Sequence, residues 1–263
     1  MDDTQTLTNP ERLLHVPVPG GTVACFRSGS GHPMLYLHSA GDGGTWTEFH
    51  QQLAAQSTVF APDHPGFGNS DDFTAITSMD RLVDHYLAFL DAARLDVVDL
   101  VGTSFGGWTA AALAIRSPAR FRRMVLLAPA GLYDAEDPIA DILSMAPDEL
   151  IPALYHDDEL VRSILATPPT EDQVAGVTRA MAALRRIAGP RLEQPDLEGR
   201  LSQVRTPTRI VAAMHDRIVP PSHTRRYAAA VPGAELMVVK DCGHSLYGEQ
   251  LDAVAEAVTT FLA

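Results

Sequence analysis

A serine at position 104 stands in the stretch "DLVGTSFGGW", with a glycine two residues before it and another two residues after it. A serine hydroxyl is a poor nucleophile until a base removes its proton, and the base needs an acceptor that fixes its tautomer. Candidates for both lie downstream. His244 follows Gly243 in "VVKDCGHSLYGEQ", and Asp216 sits in "RIVAAMHDRIVPP". Hydroxyl, imidazole and carboxylate acting in series perform acyl transfer, in which the serine attacks a carbonyl and the histidine carries the proton. Glycine costs roughly 0.5 to 1 kcal/mol in a helix or strand interior. Glycines at 102 and 106 therefore imply a geometric demand, namely a turn so tight that side chains there collide.

Such residues act together only if the chain delivers them to one place. Short β-branched or apolar runs predict eight strands, over 13–18, 22–27, 34–38, 58–62, 97–101, 123–128, 208–213 and 235–239. The first two flank "PGG", a turn signal for an antiparallel hairpin. The later strands alternate with helical patterns over 46–55, 79–93, 105–116, 221–231 and 249–262. That alternation is the mark of a mostly parallel sheet covered by helices, an α/β fold. In this scheme Ser104, Asp216 and His244 each follow a strand, and Ser104 also opens a helix, whose N-terminal N–H groups favour developing negative charge.

The connection over 130–207 is far longer than such a sheet needs, so it must be structured. "DPIADILSM", "PDELIPALYHDDELVRSIL" and "TEDQVAGVTRAMAALRRI" each carry helical spacing, which predicts a helical cap over 132–205 inserted into a core of 1–131 and 206–263. Met145, Leu154, Tyr155, Met181 and Leu184 are candidate pocket walls, with packing between cap helices as the alternative.

Composition narrows the function classes. Of 263 residues 46% are hydrophobic, enough for a large core, and 33 acidic against 20 basic residues give a net charge of −13. No basic run reverses this locally, which argues against nucleic acid and anionic membranes as partners and leaves a small-molecule substrate, with a homo-oligomer left open. Cys25 and Cys242 fit neither a disulfide framework nor a C-x-x-C motif and are expected as buried reduced thiols. The opening "MDDTQTLTNPERLL" has no leader-like apolar run and no stretch reaches membrane-span length, so a soluble cytoplasmic protein is expected. No H-x-E, H-E-x-x-H or cysteine cluster calls for a metal, and no cofactor is expected.

The G-x-S-x-G elbow between strand and helix, followed in order by Asp216 and His244, resembles the α/β-hydrolase superfamily over nearly the whole chain. "APDHPGFGNSD" is similar to the family's D-x-x-G-x-G-x-S turn, and "GHSLYGEQ" to its histidine loop. The resemblance implies a catalytic triad of Ser104, Asp216 and His244, and an oxyanion hole built from the backbone N–H groups of Phe105 and Ala40. Ala40 follows from matching "LHSAGDGG" to the family's His-Gly-x-Gly stretch, where Ser39 replaces the usual glycine. Ser39 and His38 are candidate site-lining residues, and His38, His64 and His215 are read as bracing side chains rather than second bases.

The resemblance implies hydrolysis of a carboxylic ester, lactone or thioester through an acyl-enzyme. Haloalkane dehalogenases and epoxide hydrolases of this fold use an aspartate nucleophile, so Ser104 argues against both. The alternative within the fold is a carbon–carbon bond hydrolase of ring-fission dienones, whose loop resembles "HSAGDGG" and whose elbow can read S-F-G-G. Three positions depart from those enzymes: Thr103 stands where asparagine is usual, Asp42 where proline is, and Ser245 where tryptophan is. A third alternative, of another class, is a non-catalytic ligand receptor on a hydrolase scaffold. Asp134 and Asp241 are the fallback acids should Asp216 not serve.

Overall fold

The computed structural model describes residues 12–263, so most of the N-terminal stretch read for a leader lies outside the described residues. Eight strands form one sheet in the order β1-β2-β4-β3-β5-β6-β7-β8. They are β1 (Arg12–Val18), β2 (Gly21–Ser28), β3 (Pro33–Leu37), β4 (Thr58–Pro62), β5 (Val98–Thr103), β6 (Phe121–Leu127), β7 (Thr208–Ala213) and β8 (Glu235–Val239). The β1–β2 pair is antiparallel, with Val18 opposite Gly21. Its turn is Pro19–Gly20, where Gly20 takes a φ of +93° that disfavours any side chain. β2 also runs antiparallel to β4, and every later pairing is parallel.

Parallel strands buried on both faces read as continuous apolar runs, and β4 and β5 are buried at every position. Helices cover both faces. One is packed by α2 (Met79–Ala92) and α3 (Phe105–Arg116), where Leu82, Tyr86, Phe89 and Leu113 meet Leu35, Leu100 and Met124. The other is packed by α1 (Glu48–Ala54) and α10 (Leu251–Leu262), where Phe49, Leu53, Val254 and Val258 meet Tyr36, Val101 and Val211. The helix α8 (Pro221–Ala230) follows β7, and the short α9 (Leu246–Glu249) separates His244 from α10. The helix read over 249–262 is α10, which begins two residues later because Glu249 closes the separate α9.

Between β6 and β7 lie α4 (Pro147–Leu154), α5 (Asp158–Leu165), α6 (Glu171–Ala188) and α7 (Leu197–Leu201). Caps in the sequence set their starts. Asp157 accepts from the N–H groups of Glu159 and Leu160 at the head of α5, and Thr170 with Gln173 forms a capping box on α6. The helix expected in "DPIADILSM" does not form. Its backbone is committed elsewhere: the Ala140 N–H donates to the Ile218 carbonyl at 2.9 Å, and the Asp137 carbonyl accepts from His223 Nε2 at 2.7 Å. Tertiary bonds of this kind compete directly with the i to i−4 ladder.

No helix among the described residues is long and apolar enough to cross a membrane. Cys25 and Cys242 are free and buried, and burial raises both thiols, Cys242 to about 12.

Candidate active site

Parallel β3, β5, β7 and β8 all end on one edge of the sheet, so the segments that follow them come together there. Ser104 leaves β5 in a φ of +54° and ψ of −113°, a strained conformation costing on the order of 1 to 3 kcal/mol. Neighbouring backbone holds it there. Its N–H donates to the Leu127 carbonyl at 2.8 Å, and its carbonyl accepts from Trp108 at 3.0 Å and Ala130 at 3.1 Å. The flanking glycines answer the steric demand read from the sequence. A Cβ at Gly102 meets the Gly106 carbonyl oxygen at 2.3 Å, and a Cβ at Gly106 meets the Leu37 carbonyl oxygen at 2.1 Å.

The structure brings Ser104, His244 and Asp216 into hydrogen-bonded series. Ser104 Oγ lies 2.9 Å from His244 Nε2, and His244 Nδ1 lies 2.8 Å from Asp216 Oδ2. All three are buried. The other carboxylate oxygen, Asp216 Oδ1, accepts the N–H groups of Ile218 at 2.9 Å and Val219 at 2.8 Å. Those two bonds fix the acid with Oδ2 toward the imidazole. With the proton on Nδ1, the Nε2 lone pair faces the serine hydroxyl and can accept its proton. Neither fallback acid takes this place. Asp134 pairs with Arg226 at 2.9 Å, and Asp241 is exposed.

The loop after β3 carries Ala40, which is buried, while Phe105 opens α3. Among the described residues neither the Ala40 nor the Phe105 N–H finds a protein acceptor, which leaves both donors free for an oxyanion. His38 and His64 brace this loop. His38 Nε2 accepts the His64 N–H at 2.9 Å, so its proton is on Nδ1, which donates to the Ser39 carbonyl at 2.6 Å. His64 Nε2 donates to the His38 carbonyl at 2.9 Å, and its Nδ1 accepts from Tyr86 at 2.5 Å. Burial, reinforced by His38, lowers the His64 pKa and keeps that ring neutral. Ser39, in the usual glycine position, adopts no positive φ, and its hydroxyl donates to Asp42 Oδ2 at 2.6 Å.

The candidate wall residues part company. Leu184 and Met181 pack on the core below α6, and Leu154 joins Ile139 and Ile218 in a separate apolar cluster. Tyr155 reaches the histidine loop, its Cε1 lying 3.3 Å from where a Cβ at Gly248 would be. Sequence reasoning missed Glu249. One of its oxygens accepts the N–H groups of His156 at 2.7 Å and Asp157 at 2.8 Å, and the other accepts that of Gly243 at 2.6 Å. It thereby ties the α4–α5 linker to the base loop. The same linker stacks His156 on His215, with centroids 3.9 Å apart and planes 8° from parallel. Asp241 completes a group whose ligand atoms lie within 4.8 Å of one another. Lone pairs of parallel rings run side by side rather than converge, so this arrangement is a packing contact as it stands.

Residues 29–257 match the model of the alpha/beta hydrolase family. The chain belongs to that family. This α/β-hydrolase is 32% identical to the 2-hydroxymuconate semialdehyde hydrolase of Pseudomonas sp. (strain CF600), over 90% of this chain and 88% of that one. It is 30% identical to the 2-hydroxy-6-oxo-2,4-heptadienoate hydrolase of Pseudomonas putida, over 89% and 90%. Among solved structures it is similar to the meta-cleavage product hydrolase of Pseudomonas fluorescens IP01, with TM-score 0.77, 25% identity and coverage of 95% and 97%. The enol-lactonase of Burkholderia xenovorans LB400 shares the fold at TM-score 0.80 and 20% identity, over 95% and 99%.

Proposed function

We propose that this α/β-hydrolase is a serine hydrolase that cleaves a small to medium, largely apolar carboxylic ester, lactone or thioester through an acyl-enzyme on Ser104. The observation that carries the reading is the buried series Ser104 Oγ, His244 Nε2 and Asp216 Oδ2, with both contacts under 3 Å. In this reading Ser104 attacks the carbonyl while His244 takes its proton, and the N–H groups of Phe105 and Ala40 receive the oxyanion. His244 then returns the proton to the leaving group, and water releases the acyl group by the same route. Asp216 steadies the imidazolium throughout. The helices of 132–205 act as a cap over the crevice and supply the apolar walls. No cofactor takes part, the partner is a small molecule, and two buried free thiols suit a reducing cytoplasm.

A second reading is supported by the relatives. The similarity to 2-hydroxymuconate semialdehyde hydrolase extends over most of both chains. The same nucleophilic series can cleave a carbon–carbon bond next to a ketone in a ring-fission dienone. Against it stand Thr103, Asp42 and Ser245, which occupy positions where those enzymes tend to carry asparagine, proline and tryptophan.

The test assays aryl esters, lactones, thioesters and ring-fission dienones with the wild type and Ser104→Ala. Ester turnover that falls by about 10⁴-fold or more in Ser104→Ala is the expected result. Undiminished turnover in that variant removes Ser104 from the mechanism. Cleavage of dienones alone establishes the second reading. A wild type that binds a small molecule yet resists a serine-directed phosphonate is a receptor.

A further inference from the structure

Two of the departures from the carbon–carbon hydrolases, Thr103 and Asp42, are joined in space by one chain of hydroxyl groups. Thr103 Oγ1 lies 3.1 Å from the Tyr36 hydroxyl, which donates to the Tyr247 hydroxyl at 3.3 Å. Tyr247 in turn donates to Asp42 Oδ2, which also accepts the Ser39 hydroxyl at 2.6 Å. A phenol has one proton to give. Since Tyr247 gives its proton to Asp42 and Tyr36 gives its own to Tyr247, Thr103 must be the donor to Tyr36. The chain therefore runs one way, from the strand that carries the nucleophile to a carboxylate.

Its members sit beside each element of the proposed acyl-transfer site. Thr103 directly precedes Ser104, Tyr247 is three residues beyond His244, and Ser39 and Asp42 flank Ala40. Aromatic packing holds the phenols in place. The Tyr247 ring stacks on Phe49 with centroids 4.5 Å apart, and the Tyr36 ring meets Phe49 edge-on at 5.9 Å. Burial and the Asp42 charge raise both phenols, so they remain proton donors across the working pH range. The oxyanion loop, by contrast, has glycine at 41, 43 and 44, so few side chains of its own are available to fix it.

We propose that Asp42 and Tyr247 are positioning residues that hold the oxyanion loop in register with Ser104 and the His244 loop through this one-way hydroxyl chain. An oxyanion donor works only within about 2.7 to 3.1 Å of the developing charge, and a displacement of about 1 Å costs on the order of 100-fold. The proposal rests on the acyl-transfer reading of Ser104.

The experiment uses Asp42→Ala, Tyr247→Phe and the double variant in the full chain. It measures kcat and KM on a p-nitrophenyl ester, the rate of Ser104 phosphonylation, and Tm. Each single variant is expected to lose about 10- to 100-fold in kcat with KM within about threefold, and to be phosphonylated more slowly by a similar factor. The double variant is expected to lose no more than the worse single one, because both break the same tie. Asp42→Asn, which still accepts a hydrogen bond, should recover much of the loss. Losses that multiply in the double variant, a loss confined to KM, or singles within twofold of wild type overturn the proposal. Should a variant fail to fold, Thr103→Val breaks the far end of the chain and is read by the same criteria. A wild type that is phosphonylated but hydrolyses no ester overturns the ester reading alone, and the phosphonylation rates still decide the role of the chain. A wild type that does neither overturns both.

Discussion

The strand ends of the sheet and the helices inserted between β6 and β7 are built on different principles. Ser104, Asp216 and His244 are all buried, and each is fixed by backbone hydrogen bonds or by its neighbour in the series. In the insertion, α4 buries no residue and α5 buries only Val161. The longest of these helices, α6, has a buried face at Ala180, Ala183, Leu184, Ile187 and Ala188, and the short α7 buries Leu197 and Leu201, while Val174 and Val177 on the other side of α6 are 51% and 57% exposed. The strand ends that carry Ser104 and Asp216 are held by core packing and backbone hydrogen bonds. The insertion is pinned at chosen points: Glu249 on the linker, Arg186 on Asp72 at 2.7 Å, and Arg217 on the Pro152 carbonyl at 3.1 Å. In the proposed reading, bond-making geometry is thus set where the backbone cannot yield, and the walls around the substrate are set where sequence can change cheaply.

Asp216→Asn tests the rigid side most severely. It keeps the shape but offers the imidazole the wrong hydrogen-bonding pattern, and ester turnover should fall by about 10³- to 10⁴-fold with Tm little changed. An unchanged rate would mean that another carboxylate serves the base. Glu249→Ala strikes the joint between the two regions. Losing a carboxylate that accepts three N–H groups should cost about 2 to 3 kcal/mol in denaturant unfolding and raise KM several-fold, with kcat less affected. A kcat loss as large as that of Asp216→Asn would erase the distinction between the regions.

Acid should loosen the sheet side. Burial lowers His50 and His85 from 6.5 to about 4, so the unfolded chain takes up their protons first. The stability these neutral rings contribute is whole above pH 6.5 and is lost as pH falls toward 4. Between pH 7 and pH 5 each should remove on the order of 2 kcal/mol from the unfolding free energy, and His50→Asn should flatten the slope. The smallest effect belongs to the outer face of α6. Val177→Ser should change stability by less than about 0.5 kcal/mol and leave turnover unaltered, and a clear loss of either would show that this face is covered in solution.

The strands were legible because buried parallel strands are continuous apolar runs bounded by breakers, and all eight sit within a few residues of their expected places. The hydrogen-bonded series of Ser104, His244 and Asp216 was legible for a related reason. Each follows a strand, and the glycines at 102 and 106 report a backbone approach that no other residue permits. The stretch 137–145 misled because its helical spacing comes from residues whose backbone bonds to α8 and the acid loop, a long-range commitment that periodicity does not register. Glu249 was hidden as the first residue of the last helix, and Tyr247 as an unremarked member of the histidine loop. Tyr36 gave the fainter sign: a phenol in the middle of an apolar strand must have a partner for its hydroxyl.

Gly243, the residue before His244, has one consequence for how such proteins can be remodelled. A Cβ there meets the Leu154 carbonyl oxygen at 2.7 Å and the His156 N at 2.9 Å, so the linker between α4 and α5 lies directly against the base loop. The insertion is therefore not a fully interchangeable part. A segment borrowed from another member can differ in its helices and its walls, but it must reproduce the path of residues 154–156 or bring its own filler for the space above position 243. Any graft of the insertion has a fixed seam, and that seam runs beside His244.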